Sequence, residues 1–133
     1  MRVTRRMEFS SSHRLWRDDW DPARNLQVFG RLARREPHGH NYTLDVTLSG
    51  PVDETTGMVL DLKRLKEVME AEVGARFDHR NLDVDTPYFA SVPATAENVA
   101  GVIFALLDAA LPSGLLESVA LEPDDTLRVE VSR

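Results

Sequence analysis

The sequence predicts an α+β fold in which a four-stranded antiparallel sheet carries two helices on one face, in the order ββααββ. Three observations support this. Strand-like alternation is confined to the two ends of the chain, helical spacing to its middle, and turn residues from Gly50 to Gly57 and at Pro112 mark the changeovers. Strands segregated from helices in this way pack as an α+β layer rather than as alternating parallel units.

Val3, Met7, Phe9 and Ser11 alternate with Thr4, Arg6 and Glu8, as on a half-buried strand, with Arg5 breaking the pattern. Continuing that register puts His13 on the same face as Phe9. Residues 17–37 hold no sustained period and two prolines, and read as a long surface loop of the kind that is functional or mobile. In HGHNYTLDVTLSG the alternation returns: His38, His40, Tyr42, Leu44, Val46 and Leu48 share one face, and Asn41, Thr43, Asp45, Thr47 and Ser49 the other. MVLDLKRL is expected to begin as strand and pass into a helix capped by Asp61, with Leu62, Leu65, Val68, Met69 and Val73 at helical spacing to about Arg76. A second helix is expected from the cap residue Thr95, with Glu97 in its first turn, through Val99, Ile103 and Leu107 to Pro112. LESVALEP and TLRVEV, joined across Asp124 and Asp125, complete a hairpin. Four strands leave two sheet edges to be covered or paired, so an oligomer is expected.

A chain of 133 residues, 42% hydrophobic and 29% charged, is the size and composition of one soluble domain spanning residues 1–133. There is no cysteine, which excludes disulfides, thiolate metal sites and a cysteine nucleophile. The N-terminus lacks a signal-like apolar run and no segment is long enough to span a bilayer, so a cytoplasmic protein with no membrane partner is the expectation. A net charge of −6 argues against a general nucleic-acid binder, leaving only a local anion site near Arg31, Arg34 and Arg35.

Chemistry concentrates in the four histidines. On a strand, residues i and i+2 project from one face, so His38 and His40 aim two imidazoles into one volume. His13, in phase with the apolar face of the first strand, is the candidate for a third nitrogen, the number found in catalytic zinc sites that keep a fourth position open. A lone histidine reads most simply as an ordinary core or surface residue and a bare His-x-His pair reads either way; the third one in phase favours metal. Asp78 and His79 are either a polar helix end or a carboxylate orienting a general acid or base. Glu122, among apolar strand residues, is either solvated or a grip for an amidine-like N–H pair such as a guanine or pterin ring presents. Thr95 is a helix cap whose exposed helix start could also receive a polar ligand edge, and Trp16 and Trp20 line or pack the long loop.

Together, FSSSHRL, NLQVFG, HGHNY, GMVLDLKRLK, FDHRNLD, PYFA, ATAENVA and LPSGLLESVALEP resemble, over nearly the whole chain and in order, the 6-pyruvoyltetrahydropterin synthase family, which includes the 6-carboxytetrahydropterin synthases of queuosine biosynthesis. HGHNY with FDHRNLD is the decisive combination, and the spacing around NLQVFG and PYFA is closer to the pyruvoyl branch of tetrahydrobiopterin biosynthesis. The resemblance implies a tunnelling fold, sheets joined into a barrel by trimers, two trimers stacked as a hexamer, and active sites between subunits. It implies zinc on His13, His38 and His40, a catalytic relay of Asp78 and His79, and a pterin ring held by Glu122 with Thr95 beside it. The implied reaction is triphosphate elimination from 7,8-dihydroneopterin triphosphate with rearrangement or cleavage of the side chain, and Arg31, Arg34 and Arg35 are plausible triphosphate neighbours. Where the family has its catalytic cysteine this chain has Leu32, which carries no proton. Glu36, two residues before His38, is a candidate replacement, and the alternative is a catalytically silent pterin- or purine-binding homologue. A structural oligomer with unrelated histidines is the remaining possibility.

Overall fold

The computed structural model describes residues 1–133. Its elements are β1 (Arg2–His13), α1 (Pro22–Phe29), β2 (His38–Ser49), α2 (Leu62–Met69), α3 (Ala75–Phe77), β3 (Arg80–Asn81), α4 (Ala96–Ala110), β4 (Leu116–Asp124) and β5 (Leu127–Ser132). The sheet runs β3-β1-β2-β4-β5. Every contact in it is antiparallel except the short parallel pairing of β3 with β1, so the α+β layer holds while the sheet is mixed and five-stranded rather than four-stranded.

Alternation decides which face is covered. On β2, Tyr42, Leu44, Val46 and Leu48 are buried, while Thr43, Asp45, Thr47 and Ser49 are only half-buried. The buried face meets Leu65, Met69, Val73 and Phe77 of the α2–α3 segment and Val99, Ile103 and Leu107 of α4, forming the core. A fully buried leucine or phenylalanine contributes about 2 kcal/mol by leaving water, so this face supplies the main driving force. The opposite face is dressed with polar cross-strand pairs: Thr4 with Thr47 at 2.7 Å, Ser10 with Asn41 at 2.6 Å, and Arg6 with Asp45 at 2.8 Å. No helix is long and apolar enough to cross a membrane.

Three local expectations change, while the helical segment after Asp61 ends about where expected. Residues 17–37 are not a structureless loop: Asp21 caps α1 by accepting the N–H of Arg24 at 2.7 Å, Pro22 opens the helix, and Gly30 at φ 61 ends it before a 3-10 turn, Gly30–Leu32. Residues 58–60 are not strand; Val59 and Leu60 pack against the core from an irregular approach to Asp61, which does cap α2 through the N–H of Lys63 at 3.0 Å. The helix after Asp61 continues through a π turn, Glu70–Gly74, into α3, one residue beyond Arg76. Finally, β3 exists because the chain reverses at His79, whose N–H donates to the Ser10 carbonyl at 2.6 Å, after which Leu82 N–H reaches the Ser12 carbonyl at 2.8 Å.

Candidate metal centre and its surroundings

The antiparallel register of β1 and β2 places His13 directly opposite His38 and Ser11 opposite His40. Since the last residue of β1 and the first and third of β2 project from the helix-facing side, three imidazoles meet where the sheet opens. His13 Nε2 lies 3.2 Å from His38 Nε2 and 3.1 Å from His40 Nε2. The ligand atoms of all three fall within 4.8 Å of one another. A tetrahedral zinc with bonds of about 2.0–2.1 Å separates its nitrogen ligands by about 3.3–3.4 Å, so the triad is close to that spacing before any adjustment.

The protonation pattern fits a cation as well. His13 Nδ1 is 2.6 Å from the Ala94 carbonyl oxygen. A carbonyl only accepts, so Nδ1 carries the proton and the Nε2 lone pair points at the other two rings, the outer bond that orients ligating histidines. Burial holds His13 below the usual imidazole range, and His38 and His40 push the same way against the bond to Ala94. His40 is lowered too, by burial first and then by His38. Rings kept neutral near pH 7 are rings ready to ligate. Asp83, which accepts the Arg14 N–H at 2.8 Å, and Asp124 oppose these shifts at His13 and His40 respectively.

Asp78 ends the helical segment and bonds in two directions. Its Oδ1 accepts the Ser10 N–H at 2.9 Å and its Oδ2 lies 3.0 Å from His79 Nδ1. The Ser10 N–H, more than His79, holds the Asp78 carboxyl below its usual value. An ionised Asp78 therefore fixes His79 with Nδ1 as donor and Nε2 outward, on a side chain 81% exposed. His79 has φ 58, the sole non-glycine residue at positive φ. It borders a polar cleft together with Ser10, Ser12, His40, Asn41 and Arg80.

Glu122 is not on the side of the imidazoles. It pairs with Thr43 across β2 and β4, so it shares the polar face with Asp45, where its Oε1 accepts from Arg128 Nη1 at 2.9 Å. Thr95 caps α4 by accepting the Asn98 N–H at 3.3 Å, one residue beyond the carbonyl that holds His13. Leu32 is exposed at the end of the 3-10 turn. Glu36 is 72% exposed with Arg34 Nε at 3.9 Å, Arg35 stacks over Trp16 at 5.1 Å, and Trp20 carries Arg24 at 4.0 Å and Arg17 at 5.1 Å. Arg34 and Arg35 thus have separate partners within the chain. Sequence reasoning missed Ala94, Asp83, Asp124 and Arg128; a backbone carbonyl leaves no residue-type signal, whereas the alternation of β5 could have put Arg128 beside Glu122.

The chain matches the family model described as 6-pyruvoyl tetrahydropterin synthase over residues 2–133. A 6-pyruvoyl tetrahydrobiopterin synthase of Pongo abelii is 46% identical over 123 residues, covering 92% of this chain and 85% of its own length. That of Homo sapiens is 45% identical with the same coverage. Among solved structures, 6-pyruvoyl tetrahydropterin synthase of Caenorhabditis elegans aligns at a TM-score of 0.94 and 35% identity, covering 100% of this chain and 95% of that one.

Proposed function

Because the chain belongs to the 6-pyruvoyl tetrahydropterin synthase family, we propose that it is a zinc-dependent lyase of pterin biosynthesis that acts on 7,8-dihydroneopterin triphosphate, eliminating triphosphate and rearranging or cleaving the side chain. The observation that carries this reading is the convergence of His13, His38 and His40, with His13 held by Ala94 so that its Nε2 lone pair is available. When bound there, zinc supplies Lewis-acid polarisation of the substrate's side-chain oxygens.

The chain's own groups divide the remaining work. Asp78 holds the His79 ring with Nε2 outward, as a group that takes or gives a proton needs, and its carboxylate stabilises the charged imidazole. Glu122 accepts the paired N–H groups of the pterin ring, and Thr95 stands beside the ring near α4. Glu122 and the triad occupy opposite faces of one sheet, so a single ligand reaches both only between two copies of the chain. That supports a homo-oligomer with sites between subunits, in keeping with the free edge of β5.

Leu32 favours a second reading, a pterin- or purine-binding homologue that keeps the metal and Glu122 without turnover. Glu36 is the available carboxylate on that loop for the proton transfer that leucine cannot perform. Incubating zinc-loaded protein with 7,8-dihydroneopterin triphosphate and following products by mass spectrometry separates the two. Loss of triphosphate with a tetrahydropterin product supports synthase chemistry, a hydroxymethyl pterin supports side-chain cleavage, and unchanged substrate that is nonetheless bound supports the silent homologue.

A further inference from the structure

Arg128 of β5 sits within a run of alternating charges on the polar face. Its Nη1 lies 2.9 Å from Glu122 Oε1 and 3.4 Å from Asp45 Oδ2, and its Nη2 is 3.9 Å from Glu130. Asp45 is gripped in turn by Arg6 through Nε at 2.8 Å and Nη2 at 3.0 Å. An ion pair as open as Arg128–Glu122, 46% and 29% exposed, contributes little to stability. Its chemical consequence is larger. Only Nη1 of Arg128 makes hydrogen bonds within the chain, leaving the N–H groups of Nε and Nη2 unused, and Glu122 Oε2 likewise accepts from no group of the chain.

An open carboxylate acceptor therefore stands next to an open guanidinium donor. This pattern complements a planar ring edge carrying two N–H donors beside a carbonyl oxygen, the 2-amino-4-oxo edge of a pterin or a guanine. Glu122 alone grips the N–H pair but does not read the oxygen beside it. Resting on the reading of Glu122 as the ring-binding carboxylate, we propose that Arg128 is a specificity-determining residue that donates to the 4-oxo oxygen of the ring. It rewards a ring with an acceptor there and penalises one without, because an unmet guanidinium N–H in the bound state is costly. A lysine is not equivalent, since it lacks the planar fork that serves Glu122 and the ring together.

Equilibrium binding of pterin and of 2-amino-4-thioxopteridine to the zinc-loaded protein tests this. The thioxo ring keeps both N–H donors and replaces the oxygen by a poor acceptor. The parent protein is expected to prefer pterin by about tenfold or more, as for a hydrogen bond to a charged group. In Arg128→Met that preference is expected to fall to near unity through loss of pterin affinity, and in Arg128→Lys to an intermediate value, with metal content unchanged in both. Equal weakening of both ligands in the variants, or a preference that survives in Arg128→Met, overturns the assignment. Glu122→Gln tests the underlying reading separately: pterin affinity unaltered by that change removes Glu122 from the ring site, whatever Arg128 does. Should Arg128→Met not fold, the Lys variant alone decides, since a full parental preference in it contradicts a bond that needs the fork.

Discussion

The Nδ1–H of His13 donates to the carbonyl oxygen of Ala94 at 2.6 Å, tying the last residue of β1 to the backbone just ahead of α4. Metal loss should therefore be felt in the packing of α4 on the sheet as well as at the site. His13→Ala and His40→Ala are each expected to reduce bound zinc from about one per chain to near zero after dialysis, measured by elemental analysis. Stripping the parent protein with a chelator is expected to lower its Tm reversibly, because a metal at a thousandfold excess over its Kd stabilises the folded state by about 4 kcal/mol.

His79 adopts φ 58, a conformation that asparagine tolerates and β-branched residues do not. His79→Asn is therefore expected to keep a Tm close to that of the parent, while His79→Val loses markedly more. If His79 moves a proton, turnover in the Asn variant falls by about a hundredfold or more. Unimpaired turnover in His79→Asn removes it from the chemistry.

Asp45 is 12% exposed and held between Arg6 and Arg128. The Arg6 hydrogen bond, first among the causes, places its folded-state pKa below the ordinary value of 3.8. A depressed carboxylate stabilises the fold when ionised, so the contribution is complete above about pH 4 and is lost as pH falls through the folded value. Asp45→Asn is expected to cost of order 1 kcal/mol at pH 7 and progressively less toward pH 2. Urea midpoints across that range give the answer; a pH-independent difference contradicts the ion pairing.

Leu44 is fully buried at the centre of the core, between the β2 neighbours Tyr42 and Val46. Leu44→Ala is expected to cost about 3 kcal/mol by removing an isopropyl group and leaving a cavity. Thr43→Ala, one residue away on the polar face, is expected to cost far less, which urea denaturation of the two variants measures.

The sequence is legible where a segment is strongly patterned. The faces of β2 could be read residue by residue, and with them the meeting of His38 and His40, because one buried face forces strict alternation. The helix at Pro22–Phe29 was not, since its Leu26 and Val28 point to solvent and leave no core-facing stripe; the Asp21–Pro22 start was the available signal. The two residues of β3 are too few to show a period, and that strand is set by hydrogen bonds from His79 and Leu82 to β1. The side on which Glu122 lies could not be read either: Val119, Ala120 and Leu121 are all buried, so β4 lacks the alternation that would have assigned a face.

An anomalous difference map recorded at the zinc edge, on crystals of metal-loaded protein, tests the metal centre most directly. The expected result is one peak per chain about 2.0–2.1 Å from Nε2 of each of His13, His38 and His40. A peak seated elsewhere, or none with zinc present in excess, contradicts the site on which the proposed chemistry depends.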